Sequence, residues 1–372
     1  MGVVFGGRSG EHAVSLRSAA SVLGALDPER FDVVPLAITP EGRWLPPHDA
    51  LRALRPGSEA GAGVALAAPP AGGGALVGIG AVPAAAGGVL PSLDVVFPVL
   101  HGPGGEDGSI QGLLEMCDLP YVGAGVLGSA LGMDKVAQKD VLARHGLPVA
   151  EHVLVLRHEW RRDPEAVRRH VLHELGLPCF VKPANLGSSV GVTKVKCAAD
   201  LPAALDLAAR LDRRVICERA VDAREIECAV LGNEEPEASL PGEIEPGHEF
   251  YDYEAKYSAG GSRLVIPADL PAEVTAEVRA MALRSFLALD CAGMARVDFF
   301  LERVGGRLLV NELNTIPGFT ATSMFAKLWE ASGMPYPALL ARLIDLALER
   351  HRERRVGWEA QRALAGDGGG DG

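Results

Sequence analysis

The chain has no Cys-x-x-Cys pair, and its six cysteines (Cys117, Cys179, Cys197, Cys217, Cys228 and Cys291) are scattered. Most have apolar neighbours, so they read as small buried residues in a reducing compartment, the cytoplasm. No apolar run reaches the length of a membrane span. No charged segment followed by a long apolar stretch opens the chain, so no signal peptide is expected. Basic blocks are also missing, apart from Arg161-Arg162 and residues 351–355, and the net charge is −12. That balance argues against a nucleic-acid surface. An anionic substrate would have to be held by local basic residues against the overall field.

What is present is ordinary in bulk: 48% hydrophobic and 23% charged, as in soluble globular proteins. A length of 372 residues is too great for one small core, so two or three domains are expected. Residues 2–7 read as a buried strand running into a glycine turn. A helix then opens at Ser9-Gly10-Glu11-His12, and residues 31–38 form a second strand. This is the start of an alternating β/α domain with a parallel sheet. Residues 46–90 are rich in Ala, Gly and Pro and read as an elaborated surface region with weak structure. A buried strand over 93–100 ends at His101-Gly102-Pro103-Gly104-Gly105-Glu106-Asp107-Gly108. Ligands of open α/β sheets gather at such strand ends. Helical patterns cover 110–117 and 128–145, with passage into a second domain near 129–139. Residues 241–262 read as a long functional loop, 271–289 and 336–352 as helices, and the tail beyond 356 as disordered.

The most informative segment is Arg296-Val297-Asp298-Phe299-Phe300-Leu301, then Gly305-Gly306, then Val310-Asn311-Glu312-Leu313-Asn314-Thr315. Two apolar, strand-like runs flank a glycine turn. Glu312 and Asn314 are two apart, so they share a strand face. Register decides whether Asp298 joins them. A two-residue turn at Gly305-Gly306 sets Asp298 opposite Leu313, on the wrong face. A three-residue loop over 304–306 pairs Asp298 with Glu312 instead. That register gathers three oxygen ligands, a set suited to magnesium or manganese. An ordinary half-exposed hairpin with surface acids is the alternative.

Other segments are weaker one by one. Lys182-Pro183-Ala184-Asn185-Leu186-Gly187-Ser188-Ser189-Val190-Gly191-Val192 is a strand end, a lysine and a glycine/serine loop able to approach phosphates. Its order is the reverse of the Walker pattern, and a flexible hairpin loop is the alternative. Glu218-Arg219-Ala220-Val221 could pair backbone groups with an adenine edge, with a carboxylate nearby for ribose. By itself it is an ordinary strand end. Gly6-Gly7-Arg8-Ser9-Gly10-Glu11-His12 lacks the third glycine of the dinucleotide fingerprint. Alone, Glu11 reads as a helix-start acid and His12 as a capping or packing residue. His101 is balanced between structural and functional readings. Lys135 by spacing alone is a surface lysine. Tyr253-Glu254-Ala255-Lys256-Tyr257 clusters aromatics and a lysine in a loop, as lids do.

In order, over nearly the whole chain, these motifs resemble the ATP-grasp superfamily, and within it the D-alanine–D-alanine ligases. The resemblance implies an α/β three-domain ATP-grasp fold. Residues 1–132 would form an N-terminal Rossmann-like parallel-sheet domain. Two α+β domains, 133–221 and 222–356, would clamp ATP, followed by a disordered tail over 357–372. It implies that Lys135 and Lys182 contact ATP phosphates beside the Ser188-Ser189 loop. Glu218, the Ala220-Val221 backbone and Glu225 would hold adenosine. Asp298, Glu312 and Asn314 would hold two Mg2+ (or Mn2+) ions. Glu11 would take the ammonium of a first D-alanine, while Arg296 and the Gly318 amide would form an oxyanion site. Ser323 and Met324 would belong to the second D-alanine pocket, with Lys256 nearby and His101 a candidate near the proton transfer. Glu11, Ser188 and Tyr257 would close the lid. The partners implied are D-alanine and ATP, with no nucleic acid and no membrane, in a homodimer that serves peptidoglycan precursor synthesis. Arg219 stands where lysine is frequent, and Ala326 where proline is common. The rivals are a D-alanine–D-lactate ligase, against which Tyr257 argues, and a non-catalytic ATP-binding regulator.

Overall fold

The computed structural model describes residues 1–54, 63–67, 75–79, 92–246 and 262–367. Strand β1 (Gly2–Gly6) is buried along its whole length. Helix α1 (His12–Ala25) follows, and β2 (Val34–Ile38) returns parallel to β1. Continuous apolar runs of this kind suit a parallel sheet covered on both faces. The chain then passes through β3 (Trp44–Leu45), α2 (Pro47–Ala53), β4 (Gly63–Ala67) and β5 (Ala75–Ile79). Strand β6 (Val96–Val99) lies parallel on the other side of β1, giving the order β5-β4-β3-β2-β1-β6. Within 46–90, where weak structure was expected, the described residues hold regular elements, α2, β4 and β5, and the rest lie outside the described residues. Strands β4 and β5 form an antiparallel pair that extends the first sheet. Their small residues show no clear alternation, and cross-strand backbone bonding, invisible in sequence, makes them strands.

Helices α3 (Ser109–Met116), α4 (Val126–Met133) and α5 (Lys135–Arg144) lead into the second sheet. The single helix expected over 128–145 is two. Asp134 breaks it, with extended backbone and a carboxylate that accepts from the Val136 and Ala137 N–H groups at 3.1 and 3.0 Å. Such a cap satisfies donors that a helix start leaves unpaired. Strand β7 (His152–Leu156), α6 (Arg157–Arg162), α7 (Pro164–Leu175), β8 (Cys179–Pro183), β9 (Thr193–Val195), α8 (Leu201–Leu211) and β10 (Arg214–Arg219) form a four-stranded sheet ordered β7-β10-β8-β9, with its own core.

The third sheet comprises β11 (Ala223–Gly232), β12 (Glu237–Ala238), β13 (Gly242–Pro246), β14 (Ser262–Val265), β15 (Gly293–Glu302) and β16 (Leu308–Asn314). Helix α9 (Ala272–Ala288) packs on it. The long loop expected over 241–262 is partly an antiparallel pair, β13 with β14. Residues 247–261, with Lys256, Tyr257 and the expected lid, lie outside the described residues.

Helices α10 (Met324–Ala331) and α11 (Tyr336–Asp367) close the chain. The disordered tail expected from 357 is corrected, since helix continues to Asp367. Alanine, leucine, glutamate, glutamine and arginine dominate that stretch, and all favour helix. Phe319 joins the first and third sheets. Its ring centroid lies 5.5 Å from Phe97 of β6 and 5.6 Å from Phe325 of α10.

Candidate active site

Asp298 pairs with Glu312, and Arg296 with Asn314, across β15 and β16. The expected pairing is present, but it is reached by another route. Glu302 N–H bonds Arg307 O at 3.0 Å, so the loop is four residues, 303–306, not three. Phe299 then faces Val310, and the register shifts by one between Phe299 and Asp298. Asn311 is the extra residue. This β-bulge turns Glu312 and Asn314 to the cleft and Leu313 to the core.

Around this pair the charges are interlocked. Arg296 donates to both Asp298 oxygens at 2.7 Å and lies 3.0 Å from Glu227. Burial would lower the guanidinium pKa, but Asp298 and Glu227 outweigh it and hold the charge firmly. Asn314 Nδ2 donates to Asp298 at 3.0 Å. Lys135 Nζ stands 3.4 Å from Glu312 and donates to Leu186 O at 3.0 Å. The donor set fits a hard divalent cation. It offers two carboxylates, and an amide whose half-turn presents its oxygen.

Across the cleft, Glu218 is buried and bonds two ammonium groups, Lys182 and, at 2.8 Å, Lys139. Burial alone would raise its pKa. The two lysines reverse this and hold it well below the carboxylate range. Lys182 is raised, because Glu218 outweighs its burial. Lys139 is lowered, because burial wins there. The structure thus places Glu218 on the lysines. The Ala220 N–H is also taken, by Pro178 O at 3.1 Å, so the linker is less open than its sequence suggests. Val221, Glu225 and Ser189 line the same cleft, of about 940 Å³.

A second cavity of about 510 Å³ opens beside the first, and Gly187, Ser188, Glu227, Arg296 and Asn314 line both. Ser188 Oγ donates to Glu11, joining the glycine/serine loop to the start of α1. Ser188 and Ser189 both adopt left-handed backbone, at φ 49° and 58°. Non-glycine residues occupy that region at a cost that clusters at functional sites. His101 is buried. Its Nδ1 lies 3.1 Å from Ile316 O and its Nε2 3.1 Å from Ser18 Oγ. A carbonyl only accepts, so Nδ1 carries the proton and Nε2 accepts from Ser18. Burial lowers the His101 pKa, favouring this neutral form. Glu106 accepts from the Gly102 N–H at 2.7 Å and the Ile316 N–H at 3.2 Å. Burial of its carboxyl, then the nearby Glu11 charge, push its pKa up to about 8. Gly318, Ser323 and Met324 line the far wall.

Sequence reasoning missed Glu106 as a site residue, and also Glu227, Ser18, Gln138 and Lys139. The alternation Glu225-Ile226-Glu227 was a usable strand signal. Nothing in the sequence distinguished Lys139 from a surface helix lysine.

Two family descriptions match: "D-ala D-ala ligase N-terminus" over residues 1–124 and "D-ala D-ala ligase C-terminus" over 141–345. The chain is 49% identical over 362 residues to a D-alanine–D-alanine ligase of Geobacillus kaustophilus, covering 96% of each. It is 52% identical over 360 residues to one from Thermoanaerobacter sp. strain X514, covering 96% of this chain and 98% of the relative. The solved D-alanine–D-alanine ligase of Coxiella burnetii superposes with a TM-score of 0.83 at 37% identity, covering 98% of each chain. A D-Ala:D-Ser ligase of Enterococcus faecalis superposes at 0.80 with 34% identity, covering 93% of this chain and 98% of that one. By both sequence and architecture, this chain belongs to the D-alanine–D-alanine ligase family.

Proposed function

We propose that this chain joins two D-alanines to D-alanyl-D-alanine at the expense of ATP, through a D-alanyl phosphate. The supporting observation is that the two cavities meet at Arg296 and Asn314, between the lysine-lined cleft and the Glu11 pocket. A carboxylate is a poor electrophile, so ATP must first convert it to a better one. Lys135 and Lys182 face the ATP phosphates, and Glu225 and the Ala220-Val221 linker take the adenosine. Asp298, Glu312 and Asn314 would hold two magnesium or manganese ions, which offset phosphate charge during transfer.

Glu11 holds the first D-alanine by its ammonium and presents its carboxylate to the γ-phosphate. Attack there gives D-alanyl phosphate and ADP. The second D-alanine lies against Ser323 and Met324 and must react as a neutral amine. His101, kept neutral by burial and lining this cavity, is a candidate near that proton transfer. The amine attacks the acyl carbon, and the resulting oxyanion is met by Arg296 and the Gly318 N–H before phosphate leaves. A lid over the site, expected from the sequence at Lys256 and Tyr257, would keep water from the acyl phosphate. An ATP-consuming site with free thiols suits the cytoplasm, and the family resemblance suggests a homodimer.

The test is phosphate release with ATP, magnesium and D-alanine, with products identified by mass spectrometry. D-lactate and D-serine are supplied as second substrates in parallel. The expected result is D-alanine-dependent phosphate with the D-alanine dipeptide. A depsipeptide or a D-alanyl-D-serine product in preference would move the second-substrate assignment. No D-alanine-dependent turnover from folded protein would overturn the reading.

A further inference from the structure

Among the described residues β16 is the outermost strand of its sheet. An open edge there would leave backbone groups unpaired. Instead the Val310 N–H donates to Pro148 O at 2.8 Å. The next groups are taken by two consecutive side chains of α5. Gln138 accepts from the Leu313 N–H at 2.9 Å and donates to Leu313 O at 3.0 Å, as a neighbouring strand would. Lys139 Nζ donates to Asn311 O at 2.5 Å. Asn311 is the bulged residue, whose displacement from the regular ladder sets Glu312 and Asn314 on the cleft face.

Lys139 is only 1% exposed, and its other bond, at 2.8 Å, is to Glu218, which also holds Lys182. A buried ammonium needs such partners. Its charge-assisted bond to a carbonyl is stronger than a neutral one. One helix therefore carries Lys135 against Glu312, Gln138 against Leu313 and Lys139 against Asn311.

We propose that Gln138 and Lys139 are positioning residues. They substitute for a missing strand, pin the Asn311 bulge, and thereby hold Glu312 and Asn314 in place for a divalent cation. Through Glu218, Lys139 ties this register to the nucleotide cleft. The inference rests on Asp298, Glu312 and Asn314 as the metal set.

The experiment measures Mn2+ binding directly, from the free-ion electron paramagnetic resonance signal, with ADP present and no turnover. Wild type, Gln138→Met, Lys139→Met and Glu312→Gln are compared, each checked by thermal melting. Supporting partners of metal ligands typically contribute about 10–100-fold in metal affinity. Both positioning variants should lose Mn2+ affinity on that scale. In turnover, their magnesium requirement should rise while the KM for D-alanine stays at the wild-type value. Should Lys139→Met fail to fold, Gln138→Met decides, since it leaves the buried charges intact. Folded variants that bind Mn2+ as wild type does, or that lose D-alanine and metal affinity alike, would overturn the inference. Wild-type binding unaffected by Glu312→Gln would instead overturn the metal assignment beneath it.

Discussion

Asp298 and Glu312 face each other across β15 and β16, and the bulge at Asn311 sets them there. Both are ionic partners already, of Arg296 and Lys135. Glu312→Gln removes a charged oxygen donor with almost no change of shape. Turnover at limiting magnesium should fall by more than the roughly 10–100-fold typical of losing a supporting partner. Raising magnesium should recover part of it. A magnesium titration checks this, and an unchanged requirement would sink the assignment.

Gly187 approaches Glu11 closely. A Cβ on it would lie 2.8 Å from Glu11 Oε2 and 3.2 Å from Oε1. Gly187→Ala should therefore push the carboxylate off the Ser188 hydroxyl. Hydrogen bonds to charged groups contribute about 1.5–3 kcal/mol, so the KM for the first D-alanine should rise by roughly tenfold or more. The KM for ATP should move far less. Steady-state kinetics in each substrate separate the two.

Glu106 should make stability depend on pH. Its folded pKa of about 8 lies above the ordinary carboxylate value, through burial first and the Glu11 charge second. The folded state thus binds more protons than the unfolded state between about pH 4.5 and 8. Its contribution is fully present below the unfolded pKa and is lost as pH rises through the folded one. Glu106→Gln cannot ionise. Melting temperatures of wild type and Glu106→Gln from pH 5 to 9 should show wild type losing ground as pH rises. A constant difference would refute the shifted carboxyl.

Phe319 is 1% exposed and packs against Phe97, Phe325 and Tyr336. Phe319→Ala should destabilise the protein by about 3–5 kcal/mol, as large cavities in aromatic cores do. The neighbouring Gly318 wall should loosen as well, raising the KM for D-alanine. Chemical denaturation and kinetics measure each effect. A loss of less than about 1 kcal/mol would mean the site collapses around the missing ring.

Much of this was readable because local chemistry leaves local marks. The buried parallel strand at the start, the glycine turn after Lys182 and the shared strand face of Glu312 and Asn314 each follow from period and residue type. The family motifs ordered them into one protein. Small-residue strands such as β4 and β5 show no clear period. The helix break at Asp134 and the helical tail were decided by capping and by propensity that the glycine-rich end obscured.

The sequence by itself pointed to most of the candidate side chains and, through its ordered motifs, to one ligase family. Only the tertiary structure decided how they meet. The bulge that aligns Asp298 with Glu312 depends on a backbone carbonyl caught by Lys139 from another element, 172 positions away in the chain. The raised pKa of Glu106 depends on burial of its carboxyl and on the charge of Glu11. Long-range contacts of this kind have no sequence period, because no local repeat encodes which distant group fills an unpaired edge or removes water from a carboxyl.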